Sequence, residues 1–376
     1  MKALRCLVIL SVFIFTVSCS KEKNYSITEI SGKSVYQNKN IPANEKLEVI
    51  FEKLVEINND SVKYSKGTGL GLPLFFQADG TGDLFVLDFE DKKIKKYDKD
   101  GKFITSFGNS GNGPGEYLSP SDIFLSKGNV YVNDVRQRSL IIFDDKGNFQ
   151  EKILINKIFT SIFPVQDGKY LCSAMSPEQI EGKFMLIKTL AFYDSTFNLI
   201  KELNRSLYPI NENENFDPLN YFYSTAIHKN KVYLATNSVN DYDVEVFDLN
   251  GSNIESIKKN YFKHELSDGE FLKEKEFLNS LSGTEFKENF LKYRNSISGI
   301  YNFNDTFLFV ATPLDQADSS GIKFDIFKDN VFQKSVIENI PVESELLPQI
   351  KIVNDRLYTI DRETNSMLVY KIEVIE

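Results

Sequence analysis

An internal repeat constrains this chain more than any other feature of its sequence. In each copy an apolar triplet leads to an aspartate, an apolar residue stands six positions after that aspartate, and an aromatic residue stands nine positions after it. Three copies match at all of these offsets, and their aspartates are Asp88, Asp134 and Asp361. Matching offsets at distant places favour a fold assembled from equivalent units.

A hairpin signature recurs after the aromatic residue of the repeat. It consists of Asp, a few turn residues and another apolar residue, in which the aspartate caps the turn and a glycine accepts positive φ. The hairpin aromatic residues are Tyr97, Phe143, Tyr193, Phe247, Phe327 and Tyr370. Their spacings are 46, 50, 54, 80 and 43 residues. All but one lie near the ~40 to 50 residues of a four-stranded propeller blade. We therefore predict an all-β fold, a six-bladed β-propeller that occupies residues 27–376.

The composition agrees with strands rather than helices. The chain has 31 Phe and 18 Tyr but no Trp, and aromatic residues favour strands. The long spacing of 80 residues has a visible cause at 262–295, where the alternating pattern stops. Ser267 is followed by Glu270, and Ser282 by Glu285, which is the capping-box spacing of helix starts. We expect a small helical hairpin inserted at 262–295 and packed against a blade edge.

The last unit stops soon after its third strand, since only six residues follow Tyr370. A closed ring leaves no open sheet edge, and open edges invite aggregation. We therefore predict that an N-terminal strand within residues 47–57 completes the final blade and closes the ring.

The N-terminus has the pattern of an export signal. Lys2 and Arg5 precede a short apolar run, and small residues precede Cys19, as in a secretory signal peptide. The segment Thr16–Cys19 resembles the processing box of bacterial lipoproteins. We predict a signal peptide at 1–18, lipidation of Cys19 and a lipidated tether at 19–26. Ser20 resembles the sorting context of outer-membrane lipoproteins, so we expect an envelope location there, on the periplasmic face or at the cell surface.

The residues after blade 1 resemble a known family. The segment Phe107–Tyr117, followed by Pro120 and by Asp122 and Ile123, looks like the inter-blade signature of NHL-repeat propellers. The whole chain resembles the exported six-bladed β-propeller lipoproteins related to them. The strong match covers blades 1 and 2 and the last blade, because blades 3 to 5 lack the aspartate after the triplet. The resemblance implies a fold and an envelope location but no particular substrate.

Charge and cysteine content narrow the partners. The net charge of −9 repels phosphate backbones, and the sequence has no segregated basic patch, so we expect no nucleic-acid partner. Cys172 has no intramolecular partner in the mature chain and is expected to be a small buried hydrophobic residue. The expected partners are the membrane, through the N-terminal lipid, and a glycan, a peptide or an envelope protein. We expect a monomer.

Five loop residues are candidate ligand-binding residues. Asp88, Asp134 and Asp361 could point at the central channel and hold a cation such as calcium; alternatively, each caps the turn after its strand. Arg136 and Arg362 lie in the same loops and could bind an anionic ligand; alternatively, they pair with neighbouring aspartates.

The sequence offers few catalytic groups. The chain has two histidines, His228 and His264, and neither has a second His at ligand spacing. Triads and nucleophile elbows are absent, although paired carboxylates remain open. We expect no catalytic residue, no bound metal and no cofactor, with calcium the one candidate. The leading hypothesis is a non-enzymatic binding or scaffolding lipoprotein. The alternative is a cation-dependent hydrolase or lyase acting at the central channel, and a third possibility is that the insertion docks a partner.

Overall fold

The computed structural model consists almost wholly of antiparallel sheets. It describes residues 23–60, 65–155, 157–209, 223–236, 238–269, 271–272, 275–276, 279, 293–314, 321–341 and 349–376. The chain begins with β1 (Tyr25–Ile30), β2 (Lys33–Asn38) and β3 (Glu48–Ile57), which join blades that are completed later in the sequence.

The first three blades each take four consecutive strands, apart from a short parallel pair between blades 1 and 2. Blade 1 consists of β4 (Pro73–Ala78), β5 (Leu84–Asp88), β6 (Lys93–Tyr97) and β7 (Phe103–Phe107). The parallel pair is β8 (Asn109–Ser110) and β9 (Glu116–Tyr117). Blade 2 consists of β10 (Pro120–Ser126), β11 (Asn129–Asp134), β12 (Ser139–Asp144) and β13 (Phe149–Leu154). Blade 3 consists of β14 (Ile158–Pro164), β15 (Tyr170–Ile180), β16 (Lys183–Tyr193) and β17 (Leu199–Pro209).

The last three blades include the strands from the N-terminal region. Blade 4 consists of β18 (Thr225–His228), β19 (Lys231–Ala235), β20 (Tyr242–Asp248) and β21 (Asn253–Lys259), extended by β2 and β1. Blade 5 consists of β22 (Gly299–Phe303), β23 (Phe307–Thr312), β24 (Ile322–Lys328) and β25 (Val331–Glu338). Blade 6 consists of β26 (Ile350–Val353), β27 (Arg356–Asp361), β28 (Ser366–Ile375) and β3.

The hydrophobic core is divided among the gaps between blades. In the described part of the chain, a buried apolar cluster lies between each pair of neighbouring blades. The cluster between blades 6 and 1 includes Ile57 and Val369 from blade 6 and Phe76 and Tyr97 from blade 1. Because blade 6 packs on blade 1 as the other blades pack on each other, the ring is closed. The predicted six-bladed, all-β propeller is confirmed.

The predicted closing strand is also confirmed. Strand β3 pairs antiparallel with β28 along its whole length, from Met367 opposite Ile57 to Ile375 opposite Glu48. The final blade therefore takes its outer strand from the N-terminal region. This pairing joins distant parts of the chain by backbone hydrogen bonds and apolar packing, without a disulfide.

The hairpin turns follow the chemistry that their sequences indicate. Asp98 Oδ1 accepts hydrogen bonds from the backbone amides of Asp100 and Lys102 at 3.0 and 2.8 Å, and Gly101 has a φ of 79°. The same aspartate-to-amide pattern recurs at Asp144, Asp194 and Asp248. All six hairpin aromatic residues lie on the third strand of their blades. These residues therefore mark equivalent positions even in blades 3 to 5, which lack the aspartate of the repeat.

The helical hairpin expected at 262–295 is not supported. The first stretch does begin a helix after Ser267: Phe271 N donates to Ser267 O at 2.9 Å, and the described residues between 268 and 279 are helical. Residues 280–292, where the second helix was expected, lie outside the described residues. The ends of the segment are joined by an antiparallel bridge between Glu265 and Tyr293. A capping box specifies only the first turn of a helix, so it could not by itself predict how this segment folds.

Two further features concern the N-terminal boundary and the faces of the ring. Strand β1 begins at Tyr25, two residues before the expected start of the propeller at 27, while Cys19 and the signal segment lie outside the described residues. No helix in the described part of the chain is long and apolar enough to cross a membrane.

Because neighbouring strands are antiparallel, the second and fourth strands of every blade end at one face. We call it the upper face and the opposite one the lower face.

Candidate functional site

The three repeated aspartates lie at equivalent positions on the upper face, where the second strand of blades 1, 2 and 6 ends. Asp88 is fully buried. Its carboxylate accepts the backbone amides of Gly71 and Leu72, both at 2.9 Å, and of Glu90 at 3.1 Å. The ammonium group of Lys95 lies 2.8 Å away. These bonds join the loop before blade 1 to the turn after its second strand, as the turn-capping alternative predicts.

Asp134 makes the same kind of contact in blade 2. Its buried carboxylate accepts the amides of Leu118 and Ser119 from the loop that enters the blade, and those of Arg136 and Gln137 from its own turn. The side-chain amide of Gln137 donates to it as well, at 3.0 Å. A carboxylate with this many donors has little capacity left for a cation.

The remaining predicted residues differ in how far they are engaged. Asp361 is half-buried and accepts the amide of Glu363 at 3.0 Å. Arg362 donates to the backbone carbonyl of Pro73, which ties blade 6 to blade 1. The Arg136 side chain is exposed and forms no ion pair with the described residues. A ligand role for these five residues stays a prediction, but the bonds of Asp88, Asp134 and Arg362 join a blade to the loop or blade before it, and the bond of Asp361 caps its own turn.

Neither cysteine nor histidine chemistry stands out in the ring. Cys172 is fully buried in the core between blades 2 and 3, and burial raises the pKa of its thiol, so the prediction of a small buried hydrophobic residue is confirmed. His228 is buried, and its Nδ1 lies 2.7 Å from Asn302 Oδ1. Burial lowers the pKa of this imidazole. The described residues contain no group of three or more His, Cys, Asp and Glu side chains that could hold a metal ion.

A cavity of about 290 Å³ opens on the upper face between blades 4 and 5. We call it the upper pocket and define it by Tyr242, Lys259, Thr312, Asp325 and Ser335. Tyr242 and Lys259 lie at the upper ends of β20 and β21, and Thr312 lies at the upper end of β23. The third strand of blade 5 contributes Asp325. The residues come from two neighbouring blades, so only the packing of the ring brings them together.

A buried ion pair lies at the centre of the upper pocket. The ammonium group of Lys259 is 2.8 Å from the carboxylate of Asp325, which also accepts the hydroxyl of Ser335. The same ammonium group lies 4.4 Å from the centroid of the Phe332 ring and 5.6 Å from that of Tyr242. A carboxylate and two aromatic faces stabilise the buried cation. Lys259 and Asp325 therefore neutralise each other inside the pocket.

The buried Thr312 hydroxyl of the upper pocket lacks a hydrogen-bond partner among the described residues, whereas the buried Tyr242 hydroxyl interacts with the carboxylate of Asp325. Buried polar groups are normally satisfied, and an unsatisfied one costs ~1 to 3 kcal/mol. Burial raises the pKa of the Tyr242 hydroxyl well above its usual value, and the charge of the nearby Asp325 raises it further. This hydroxyl is therefore protonated at neutral pH and donates toward Asp325, which leaves its oxygen to accept a hydrogen bond from a bound group.

The rim of the upper pocket combines polar and aromatic side chains. Asn40, His264 and Phe262 line it, and Phe262 is 84% exposed. An exposed aromatic ring over a polar cavity offers an apolar surface to one side of a ligand and hydrogen bonds to the other. The arrangement fits a small polar molecule, or the end of a larger one.

A second cavity, of about 370 Å³, lies on the lower face among blades 3, 4 and 5. Its principal polar groups already have partners. Asn230 accepts the side-chain amide of Gln166 at 2.7 Å, and Asn302 contacts His228 and also donates to Asp305. The upper pocket is therefore the better candidate, because it retains the unsatisfied hydroxyl of Thr312.

Sequence reasoning did not find the upper pocket. Its members are spread from Tyr242 to Ser335, and no motif spacing relates them. One signal was present, since Asp325 is a carboxylate between the apolar residues Phe324 and Ile326 of a core strand. His264 has no second His at ligand spacing in the sequence, whereas the structure places it at the pocket rim.

The comparisons with known proteins concern the fold. Residues 79–317, more than half of the chain, match the model of the DUF5128 family, described as a six-bladed β-propeller. The structure of an inferred exported protein from Bacteroides fragilis is similar, with a TM-score of 0.53 and 14% identity over 91% of this chain and 100% of that chain. A member of the DUF4221 family from Bacteroides vulgatus has a TM-score of 0.53 and 12% identity over 88% of this chain and 99% of the other. No curated protein matches. The chain belongs to the DUF5128 family of six-bladed β-propellers.

Proposed function

We propose that this chain is an exported lipoprotein of the bacterial cell envelope, anchored in the outer membrane through Cys19, and that it binds a glycan without catalysing its conversion. The sequence pattern at 1–19 supports export and anchoring. The name of the Bacteroides fragilis relative, an inferred exported protein, agrees with an envelope location.

The upper pocket carries the binding part of the proposal. A sugar residue has hydroxyls that donate and accept hydrogen bonds, and it has an apolar face made of C–H groups. The unsatisfied hydroxyl of Thr312 and the acceptor oxygen of Tyr242 offer hydrogen bonds, and the exposed ring of Phe262 offers an apolar surface. The volume of about 290 Å³ is near the lower end of the ~300 to 1,000 Å³ typical of ligand pockets. It suits one or two sugar units better than a folded partner.

The buried ion pair at the centre of the upper pocket favours a neutral ligand over a peptide terminus at that point, while Lys323 adds a positive side chain to the lining. Lys259 and Asp325 satisfy one another at 2.8 Å, so neither offers a free charge to a ligand carboxylate or amine. Breaking such a buried pair to bind an ion would cost several kcal/mol. Peptides and envelope proteins are therefore the less favoured partners, and the binding experiment below distinguishes them.

The binding proposal is tested by screening the purified protein against a glycan array and measuring the affinity of the best ligand by calorimetry. Tyr242→Phe removes one ligand hydrogen bond, so it should weaken binding by about two- to tenfold, corresponding to ~0.5 to 1.5 kcal/mol. Tyr97→Phe is the matched control, because Tyr97 is a buried tyrosine of blade 1 and its hydroxyl donates to a backbone carbonyl. Equal effects of the two variants, or binding only to peptides, would contradict the proposal. Turnover of the ligand would contradict its non-catalytic part.

The anchoring proposal has its own test. Wild-type protein expressed with its signal should incorporate labelled fatty acid and enter the detergent phase on phase separation, whereas Cys19→Ser should do neither. Fractionation on a density gradient should place the wild-type protein with outer-membrane markers. Recovery of the wild-type protein in the aqueous phase would refute the anchor.

A further inference from the structure

The N-terminal hairpin β1–β2 extends blade 4 to six strands. Strand β2 lies parallel to β21, with Asn38 opposite Lys259, and β1 pairs antiparallel with β2. No strand among the described residues pairs with the outer edge of β1. The hairpin therefore forms the outer rim of blade 4, and β1 is its outermost strand.

The direction of the hairpin places its start at the upper face. Tyr25 is opposite Asn38, which is opposite Lys259 of the upper pocket. The neighbouring Asn24 donates to the carbonyl of Ile41 at 2.9 Å and accepts the amide of Lys39 at 2.8 Å. Between Lys39 and Ile41 lies Asn40, which lines the pocket rim. The chain thus enters the propeller beside the mouth of the upper pocket.

The distance from the anchor to this entry point is short. Six residue steps separate Cys19 from Tyr25. A fully extended chain spans at most ~3.3 to 3.6 Å per residue, so this segment reaches roughly 20 Å. Acyl chains on Cys19 insert into the bilayer and hold this cysteine at the membrane surface. The start of β1 therefore cannot lie farther from that surface than the segment can reach.

We propose that the lipid anchor holds the rim of blade 4, together with the mouth of the upper pocket, against the membrane surface, with blade 1 on the far side of the ring. This inference rests on the anchoring part of the proposed function. A lipid surface also suits the exposed side chains of β1, since Ile27 and Ile30 are each about half exposed. An edge strand with unpaired backbone groups is an aggregation hazard, and a nearby membrane shields this one. The pocket then meets sugars carried at the membrane surface before those free in solution.

Two labelled variants with matched exposure test the orientation. Ile27→Cys places a thiol on the rim of blade 4, and Ile104→Cys places one on the outer strand of blade 1, three blades away; these isoleucines are 50% and 48% exposed. The native Cys172 is buried and does not compete for the label. Each fluorescently labelled lipoprotein is reconstituted into vesicles that contain lipids with a quencher on the headgroup. We expect severalfold stronger quenching at position 27 than at position 104.

The outcomes separate the orientation from the anchor. Equal quenching at the two positions, or stronger quenching at position 104, in protein that floats with the vesicles would overturn the orientation and leave the anchor intact. Protein that does not float would overturn both. A Gly/Ser linker of about 40 residues inserted after Lys23 provides a further check, because its root-mean-square length of roughly 35 Å should remove most of the difference. A difference that persists in full with the linker would show that the anchor does not set the orientation.

Discussion

Replacing Asp88 by alanine distinguishes a blade-joining role from a ligand-binding role at the repeated aspartates. The Asp88 carboxylate is fully buried and accepts three backbone amides and the Lys95 ammonium group. Asp88→Ala leaves the amides of Gly71, Leu72 and Glu90 without their acceptor and leaves Lys95 buried beside a cavity. If the bonds stabilise the ring, their loss should appear in the unfolding free energy of the protein without any ligand.

The size of the loss follows from these contacts. Removing one partner of a buried ion pair costs ~3 to 5 kcal/mol, because the other charge stays buried. Lys95 retains contacts with Asp91 and with the carbonyl of Gly69, which limits the loss. We therefore expect Asp88→Ala to lower the unfolding free energy by about 3 kcal/mol. Asp361→Ala is the matched control, because Asp361 is half-buried and its one described bond accepts the amide of Glu363; it should cost ~0.5 to 1.5 kcal/mol.

Urea unfolding followed by circular dichroism measures both variants, and a shifted midpoint at unchanged slope reports a change in stability. The pH dependence gives a second reading. Burial opposes ionisation of Asp88, but Lys95 and the amides of Gly71 and Leu72 outweigh it, so the pKa of Asp88 lies below its ordinary value. The stabilisation is then fully present above the unfolded pKa of about 3.9 and is lost as the pH falls through the folded pKa. The difference between wild type and Asp88→Ala should be constant near neutral pH and shrink in acid.

Two results would refute this reasoning. A loss below about 1 kcal/mol for Asp88→Ala, or one equal to that of Asp361→Ala, would mean that the buried bonds contribute no more than an ordinary surface cap. A difference between wild type and variant that grows in acid would show that the carboxylate is destabilised in the folded state. Either result would favour a ligand role for this residue.

Three further predictions concern the closing strand, a buried histidine and the upper pocket. Ile57→Ala in β3 should lower the unfolding free energy by ~2 to 5 kcal/mol, because Ile57 is buried between blades 6 and 1. Ile50→Ala, on the exposed side of the same strand, should lower it by under about 0.5 kcal/mol. Equal losses in urea unfolding would argue against closure of the ring by packing. Burial lowers the folded pKa of His228 below its unfolded value of about 6.5, so stability should fall as the pH drops below about 6.5. In His228→Asn the melting temperature should depend less on pH over this range. An unchanged pH dependence would exclude His228 as the cause. Thr359→Val should cost ~0.5 to 1.5 kcal/mol, because its buried hydroxyl donates to the carbonyl of Pro341, whereas Thr312→Val should be neutral or stabilising, since its hydroxyl has no partner among the described residues. A clear loss in melts of Thr312→Val would show that the hydroxyl is satisfied.

Much of the architecture was predictable because the repeat is local. The offsets around Asp88, Asp134 and Asp361 describe one hairpin each, and a hairpin is determined by residues within about a dozen positions of one another. The closing strand was predictable for a different reason. The final unit lacks a strand, and a ring with an open edge would be unsatisfied, so an N-terminal segment had to supply it, as β3 does.

The candidate site could not be predicted in the same way. The repeat drew attention to Asp88 and Asp134, whose carboxylates turn out to be occupied by backbone amides. The residues that do surround a cavity, such as Lys259 and Asp325, stand 66 positions apart on different blades. The residues that flank Lys259 and Asp325 in the sequence form no motif typical of a binding site. The expected helical hairpin is not supported, because a capping box at Ser267 specifies the start of a helix but not where the segment ends or what it packs on.

By itself the sequence determined the unit, the number of units and the need for closure, because each of these follows from short-range periodicity and from the cost of unpaired strand edges. Only the tertiary structure decided where the additional N-terminal hairpin lies, and which side chains meet between blades 4 and 5. The physical reason is that contacts between blades depend on the register and packing of whole sheets. Such packing brings together residues like Tyr242 and Thr312. The residues that flank each of them in the sequence give no indication that the two meet.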